Sequence, residues 1–376
     1  MPTAIQNLVI LGDSLSDIGI KREAPAGMFA RAAGMMRTNE VGRYSDGKNW
    51  TDFLVEWIGG QPLIRANKKE TEDATAPHRK LTTDSLVLGT TVNALPFPVR
   101  YANYAEGGAV AADDTADKGG ALGHLRAQVD KYIAARRAMQ AAPPPAARGL
   151  AQDQYPGPTL HIIWIGLNDL VTAARPVPDA TTEKPGTGIG PMIRDIRSLV
   201  NLIPNSLPTN PALEHFLLID LPSPMVSVRY QDKAIDKGEA SVEQLVKNVA
   251  KFNDALQYLA AHWPPPGTGE KDGPGANPGN ITFVPMSQFM QHVSDHTEAF
   301  ELTPLAQDHG PVPYLGMTDT TPRAIRRALT TSDLAHPTQA VYELIAREIV
   351  DVLIPKYSVG RLNQESWRAL RPYPNA

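Results

Sequence analysis

The chain has 376 residues, 42% hydrophobic and 20% charged, with a formal net charge of −4, ordinary values for a globular protein with a substantial core. A sequence pI near 6.2 gives no electrostatic reason to expect nucleic acid, and the absence of cysteine excludes disulfides, thiolate metal sites and a cysteine nucleophile. No apolar run approaches the ~18 residues that span a bilayer, and "MPTAIQN" lacks the basic start of a signal peptide, so the expectation is a cytoplasmic protein, or a secreted one whose leader is absent from this sequence.

Five short apolar runs read as strands. In chain order they are "AIQNLVIL" (Ala4 to Leu11), "VRYANYA" (Val99 to Ala105), "LHIIWIG" (Leu160 to Gly166), "HFLLIDL" (His215 to Leu221) and "ITFVP" (Ile281 to Pro285). Their apolarity is continuous rather than alternating, as expected of strands buried on both faces of a parallel sheet. Between them lie amphipathic stretches that read as helices, at Ala121 to Met139, Met192 to Ile203 and Ser241 to Trp263. A last helix is expected over Pro337 to Ile354, with proline near its first turn, where a missing N–H costs little. Alternating strands and helices imply right-handed crossovers and a sheet covered on both sides.

Proline and glycine concentrate in "AAPPPAARG" (Ala141 to Gly149), "EKPGTGIGP" (Glu183 to Pro191) and "PPPGTGEKDGPGANPGN" (Pro264 to Asn280). These read as loops, because strand–helix alternation resumes after each. "GTGIG" follows no strand and lacks the third glycine spacing of a nucleotide-binding turn. Length alone would suggest two or three domains, but none of these loops need be a domain linker.

In such sheets ligands sit beyond the carboxyl ends of the strands. The first strand runs into Gly12-Asp13-Ser14, the second into Glu106-Gly107-Gly108 and the third into Gly166-Leu167-Asn168-Asp169. "SDLAHPT" places Asp333 and His336 just before the last helix. Together these hold the parts of an acyl-transfer site: a hydroxyl nucleophile, a base, an orienting acid and oxyanion donors. Ser14 is expected at a helix N-terminus, where unpaired N–H groups favour negative charge. His336 would take the Ser14 proton and return it to the leaving alcohol, while Asp333 would bind the other ring nitrogen and set the tautomer. The oxyanion hole would combine the Ser14 and Gly108 N–H groups with the Asn168 amide. Asp13 and Asp17 read as braces of the turn, and Asp169 as a partner of the loop that holds Asn168.

"GDSLSDIG", "NYAEGGA", "GLND" and "DLAHP", in that order, resemble the blocks of the SGNH (GDSL-type) hydrolase family. "GRYSDGKNWTDFL" (Gly42 to Leu54) is similar to a stretch of its lipase, phospholipase and acyltransferase branch. The resemblance implies a flavodoxin-like three-layer α/β/α fold with a central parallel sheet, as a single domain over residues 1–376 with loop insertions at about 60–98, 141–158, 172–190 and 264–280. It also implies Ser14, Asp333 and His336 as catalytic residues, and Ser14, Gly108 and Asn168 as the oxyanion hole. The implied activity is cofactor- and metal-free hydrolysis of carboxylic, acyl or lipid, esters. Within that resemblance an acyltransferase, a phospholipase A-type acylhydrolase and a carbohydrate O-acetylesterase stay open. A catalytically inactive binding module of the same fold is the alternative of a different class.

Glu106 departs from the family pattern, and a carboxylate there would disfavour anionic substrates. The expected partner is a small-molecule or lipid ester, with no nucleic acid, no transmembrane segment and at most transient contact with a membrane surface. "HVSDH" (His292 to His296) pairs two histidines one helical turn apart, but without a third ligand it reads as a polar surface. No Gly-x-Ser-x-Gly elbow or His-Glu-x-x-His motif is present.

Overall fold

The computed structural model describes residues 1–25, 38–39, 42–60, 99–112, 123–141, 157–172, 190–207, 210–263, 278–302, 330 and 335–370. The expected insertions fall almost wholly outside these residues, as does Asp333.

In chain order the strands are β1 (Thr3–Ile5), β2 (Asn7–Gly12), β3 (Arg100–Asn103), β4 (Thr159–Trp164), β5 (Glu214–Ile219), β6 (Ile281–Val284) and β7 (Tyr357–Val359). The α-helices are α1 (Ile20–Glu23), α2 (Trp50–Trp57), α3 (Leu125–Ala141), α4 (Leu167–Val171) and α5 (Pro191–Ser206), then α6 (Val228–Lys237), α7 (Ala240–Ala261), α8 (Met286–Asp295), α9 (Gln339–Leu353) and α10 (Gln364–Leu370).

Five strands form one sheet in the order β3-β2-β4-β5-β6, every neighbouring pair parallel. Numbered within the sheet alone, this is the flavodoxin-like order, in which the first strand lies at the point where strand order reverses. β2 is that strand. Its carboxyl end opens between the loops that follow β3 and β4, so three of the four expected site segments meet at one place.

Every residue of β2, β4 and β5 is buried, which is why these strands read as unbroken apolar runs. Two polar pairs are matched across the sheet: Asn7 Nδ2 donates to Thr159 Oγ1 at 3.3 Å, and His161 Nε2 lies 2.7 Å from Glu214 Oε2. Helix α3 packs on β2 and on α5, and α7 packs on α5 and β6. Elsewhere α9 packs on α2 and α8, giving the three-layer α/β/α arrangement. One hydrophobic core runs through the described residues from Ile5 to Trp367.

Two boundaries differ from the sequence reading. The first apolar run splits at Gln6, and β1 leaves the main sheet to pair in parallel with β7. Pro337 precedes α9, expected as the last helix, rather than opening it, and α10 follows α9. Thr338 is the N-cap, and Pro337 forms a bridge with Thr330.

Candidate active site

At its carboxyl end β2 is held from below by a side chain. The Gln128 amide on α3 accepts from Gly12 N–H at 2.9 Å and donates to Gly12 C=O at 2.7 Å. The same carbonyl accepts from Glu106 N–H at 3.0 Å. A Cβ on residue 12 would overlap the Trp164 carbonyl, so only glycine lets the strand end lie this close to β4.

Beyond Gly12 the chain turns instead of entering a helix. Ser16 N–H donates to Asp13 C=O and Leu15 N–H to the Asp13 carboxylate, both at 3.1 Å. Asp17 then accepts from the N–H groups of Gly19, Ile20 and Lys21, at 2.8, 2.7 and 3.2 Å. Helix α1 begins only at Ile20, after Gly19 at φ 113°. The expectation that Ser14 sits at a helix N-terminus is therefore corrected. The two aspartates shape a tight turn here, and Ser14 stands on it without a helix dipole behind it.

Ser14 is 9% exposed. His336 Nε2 lies 2.9 Å from Ser14 Oγ, although 322 positions separate them in the chain. With Nε2 unprotonated the hydroxyl donates to it, the arrangement needed for a base to take the proton as the oxygen attacks. Asp333 lies outside the described residues, so no contact of its carboxylate with His336 is described.

The loop after β3 is tied to the Ser14 turn, and the loop after β4 to the loop after β3. Asp17 reaches across to accept from Gly107 N–H at 2.7 Å. Gly108 follows at φ 80°, a conformation that favours glycine. Asn168, in the first turn of α4, donates from Nδ2 to Ala109 C=O at 3.1 Å. An amide nitrogen carries two donors, so this bond fixes the side chain and leaves a second N–H. Asp169 is fully buried. Its carboxylate accepts from Ala111 and Ala112 N–H at 2.7 and 3.1 Å. The partner expected for it was its own loop; the structure gives it the loop after β3, whose N–H groups it can reach from inside the fold.

Burial pushes the Asp13 carboxyl up to about 7, against the lowering effects of Leu15 N–H and His336. Burial also raises Asp17 to about 6, although backbone N–H groups oppose it. Glu106 forms an ion pair with Lys21 at 3.1 Å. The lysine ammonium compensates its charge locally.

Reading the sequence missed several supports. Gln128 stands on the apolar stripe of α3 with Leu125, Val129 and Tyr132, all buried. A polar residue inside such a stripe is the signal that could have found it. Arg43 forks onto Asp52, with Nε to Oδ2 at 3.1 Å and NH2 to Oδ1 at 2.7 Å, and also donates to Ile18 C=O. His292 and His296, by contrast, lie ring against ring at 4.5 Å, tilted by 42°, on α8 and its C-cap. Among the described residues no group of three His, Cys, Asp or Glu could hold a metal ion.

Comparison with known proteins points the same way as the geometry. The family described as GDSL-like Lipase/Acylhydrolase matches residues 8–349. None of the curated protein sequences matches this one. Among solved structures, one described as a GDSL-like lipase from Parabacteroides merdae aligns at 10% identity with a TM-score of 0.41, covering 94% of this chain and 97% of its own. The structure of TesA aligns at 14% identity and a TM-score of 0.34, covering 93% of this chain and 99% of its own. Matched over most of its length by the family's own pattern, the chain belongs to the GDSL-like lipase/acylhydrolase family, a family of ester hydrolases.

Proposed function

We propose that the protein hydrolyses carboxylic esters of lipids or simple alcohols through an acyl-enzyme on Ser14. The observation that carries this reading is the 2.9 Å contact between Ser14 Oγ and His336 Nε2, at the carboxyl end of the strand where strand order reverses. In the first step Ser14 Oγ bonds to the ester carbonyl carbon and its proton passes to His336 Nε2. The tetrahedral intermediate then expels the alcohol oxygen, which takes that proton. In the second step water attacks the acyl carbon, again giving its proton to His336, and Ser14 leaves with the proton restored. Asp333, three residues before His336, would bind Nδ1–H and steady the imidazolium.

The negative charge on the carbonyl oxygen would be met by the N–H groups of Ser14 and Gly108 and by the Asn168 amide. The bonds from Asp17 to Gly107 and from Asn168 to Ala109 support that reading, since they hold these donors before substrate arrives. No helix among the described residues is long and apolar enough to cross a membrane. The test is labelling by a small fluorophosphonate. The wild-type protein should label at Ser14 and turn over p-nitrophenyl esters. Ser14→Ala should neither label nor turn over, with a loss of roughly four orders of magnitude or more. An unlabelled, inactive wild-type protein would instead favour a binding module.

A further inference from the structure

Residues 42–50 have no part in the chemistry just described, yet they contact the turn that carries Ser14, the His336 ring and the first turn of α9. At one end, Arg43 holds Ile18 C=O, Asn49 Nδ2 donates to Asp17 C=O at 3.0 Å, and Trp50 Nε1 donates to Ser16 Oγ at 3.1 Å. These three contacts fix the segment to the turn that carries Ser14. At the other end, Asp46 Oδ1 accepts from Gln339 N–H at 2.6 Å, and Gln339 Oε1 accepts from Lys48 N–H at 2.8 Å. Tyr342 donates its hydroxyl to Tyr44 C=O at 3.3 Å. The first turn of α9, immediately after His336, is thereby clasped by the same segment.

Tyr44 stands in the middle. Its ring lies 4.9 Å from that of His336, centroid to centroid, tilted by 36°. Its hydroxyl edge lies against Gly107, where a Cβ would overlap the phenol. The glycine before Gly108 thus leaves room for the tyrosine.

From this juxtaposition we infer that Tyr44 is a positioning residue for the ester hydrolysis proposed above: its ring backs the His336 imidazole and keeps Nε2 within reach of Ser14 Oγ. The 42–50 segment is the brace that carries it. The ring face, not the hydroxyl, supplies the effect, because the contact with His336 is ring to ring. This inference rests on the hydrolase reading, and the experiment separates the two.

Wild-type protein, Tyr44→Phe and Tyr44→Ala are compared by p-nitrophenyl acetate kinetics, by the rate of Ser14 labelling with a small fluorophosphonate, and by thermal unfolding. Tyr44→Phe should keep kcat and labelling rate within about twofold. Tyr44→Ala should lower both by ~10- to 100-fold, the scale of a small misplacement of a catalytic group, with KM within about twofold. If Tyr44→Ala does not fold, Tyr44→Leu keeps apolar volume without an aromatic face and should show the same loss. Three results would each overturn the inference: a folded Ala or Leu variant with wild-type kcat, a loss confined to KM, or a Phe variant as impaired as Ala. An unlabelled wild-type protein would overturn the hydrolase reading itself, whereas a labelled wild type beside an unimpaired Ala variant would overturn only the role of Tyr44.

Discussion

Asp13→Asn tests the electrostatics of the nucleophile turn. Asp13 is 2% exposed, and burial raises its carboxyl from 3.8 to about 7. A raised value means that the native state holds a proton which the unfolded chain has already released. The stability it contributes is complete below about pH 4 and is lost as the pH rises through about 7. Between pH 5 and 7 the slope is about 1.36 kcal/mol per unit, so this group alone should lower unfolding free energy by about 3 kcal/mol. Asparagine cannot titrate, but it keeps an oxygen to accept from Leu15 N–H, now 3.1 Å from Oδ1. Urea unfolding of both proteins at pH 5 and pH 8 reads the difference. Relative to wild type, the variant should gain roughly 2 to 4 kcal/mol on going from pH 5 to pH 8. A stability difference that does not change with pH, or one that turns against asparagine at pH 8, would show that Asp13 is ionised throughout, and the burial argument would be wrong.

Asn168→Ala should lower turnover by ~10² to 10³ with KM nearly unchanged, as expected for a donor whose bond strengthens only when charge develops; steady-state kinetics on a p-nitrophenyl ester would show it. Asp169→Asn replaces an acceptor of two N–H groups with an amide that can serve only one of them well. It should lower unfolding free energy by ~1 to 3 kcal/mol and reduce turnover as well, whereas loss of stability at full turnover would confine Asp169 to the fold. Extensive dialysis against EDTA should leave turnover unchanged, because every role proposed here falls to a side chain or a backbone N–H. Activity lost in EDTA and restored by a divalent cation would point to a different chemistry.

How much of this was legible in the sequence depends on the range of the interaction. β2, β4 and β5 could be read because burial on both faces demands unbroken apolar residues. The pairing of β1 with β7 could not, since two three-residue strands at opposite ends of the chain leave no local pattern. Ser14, Gly108 and Asn168 were legible as residues just past strand ends, and His336 as a residue shortly before α9. Their supports were not. Gln128 on Gly12, Asp46 on Gln339 and Asp169 on Ala111 are side chains bonded to the backbone of distant segments, and any polar residue could in principle do the same. The stretch from Gly42 to Leu54 was noticed only as a likeness; that it spans from the Ser14 turn to the His336 helix is a tertiary fact.

The aspartates explain how such a site holds its shape. Loops leaving three neighbouring strands have no ladder between them, so nothing in the sheet fixes their spacing beyond the last paired residue. A carboxylate can accept several N–H groups at once and can therefore join two loops through one side chain. Asp17 joins the Ser14 turn to Gly107, Asp169 joins α4 to the loop after β3, and Asp46 joins the brace to α9. Each link runs between pieces that the proposed reaction needs at a fixed distance while a carbonyl carbon passes through tetrahedral geometry. Burial works against these acids, raising Asp17 to about 6 and Asp46 above the usual carboxylate range. A buried acid retained at that cost is best understood by what it connects. The density of acids around Ser14 thus need not mean acid catalysis: most of them hold backbone, and the proton transfers proposed here need only His336.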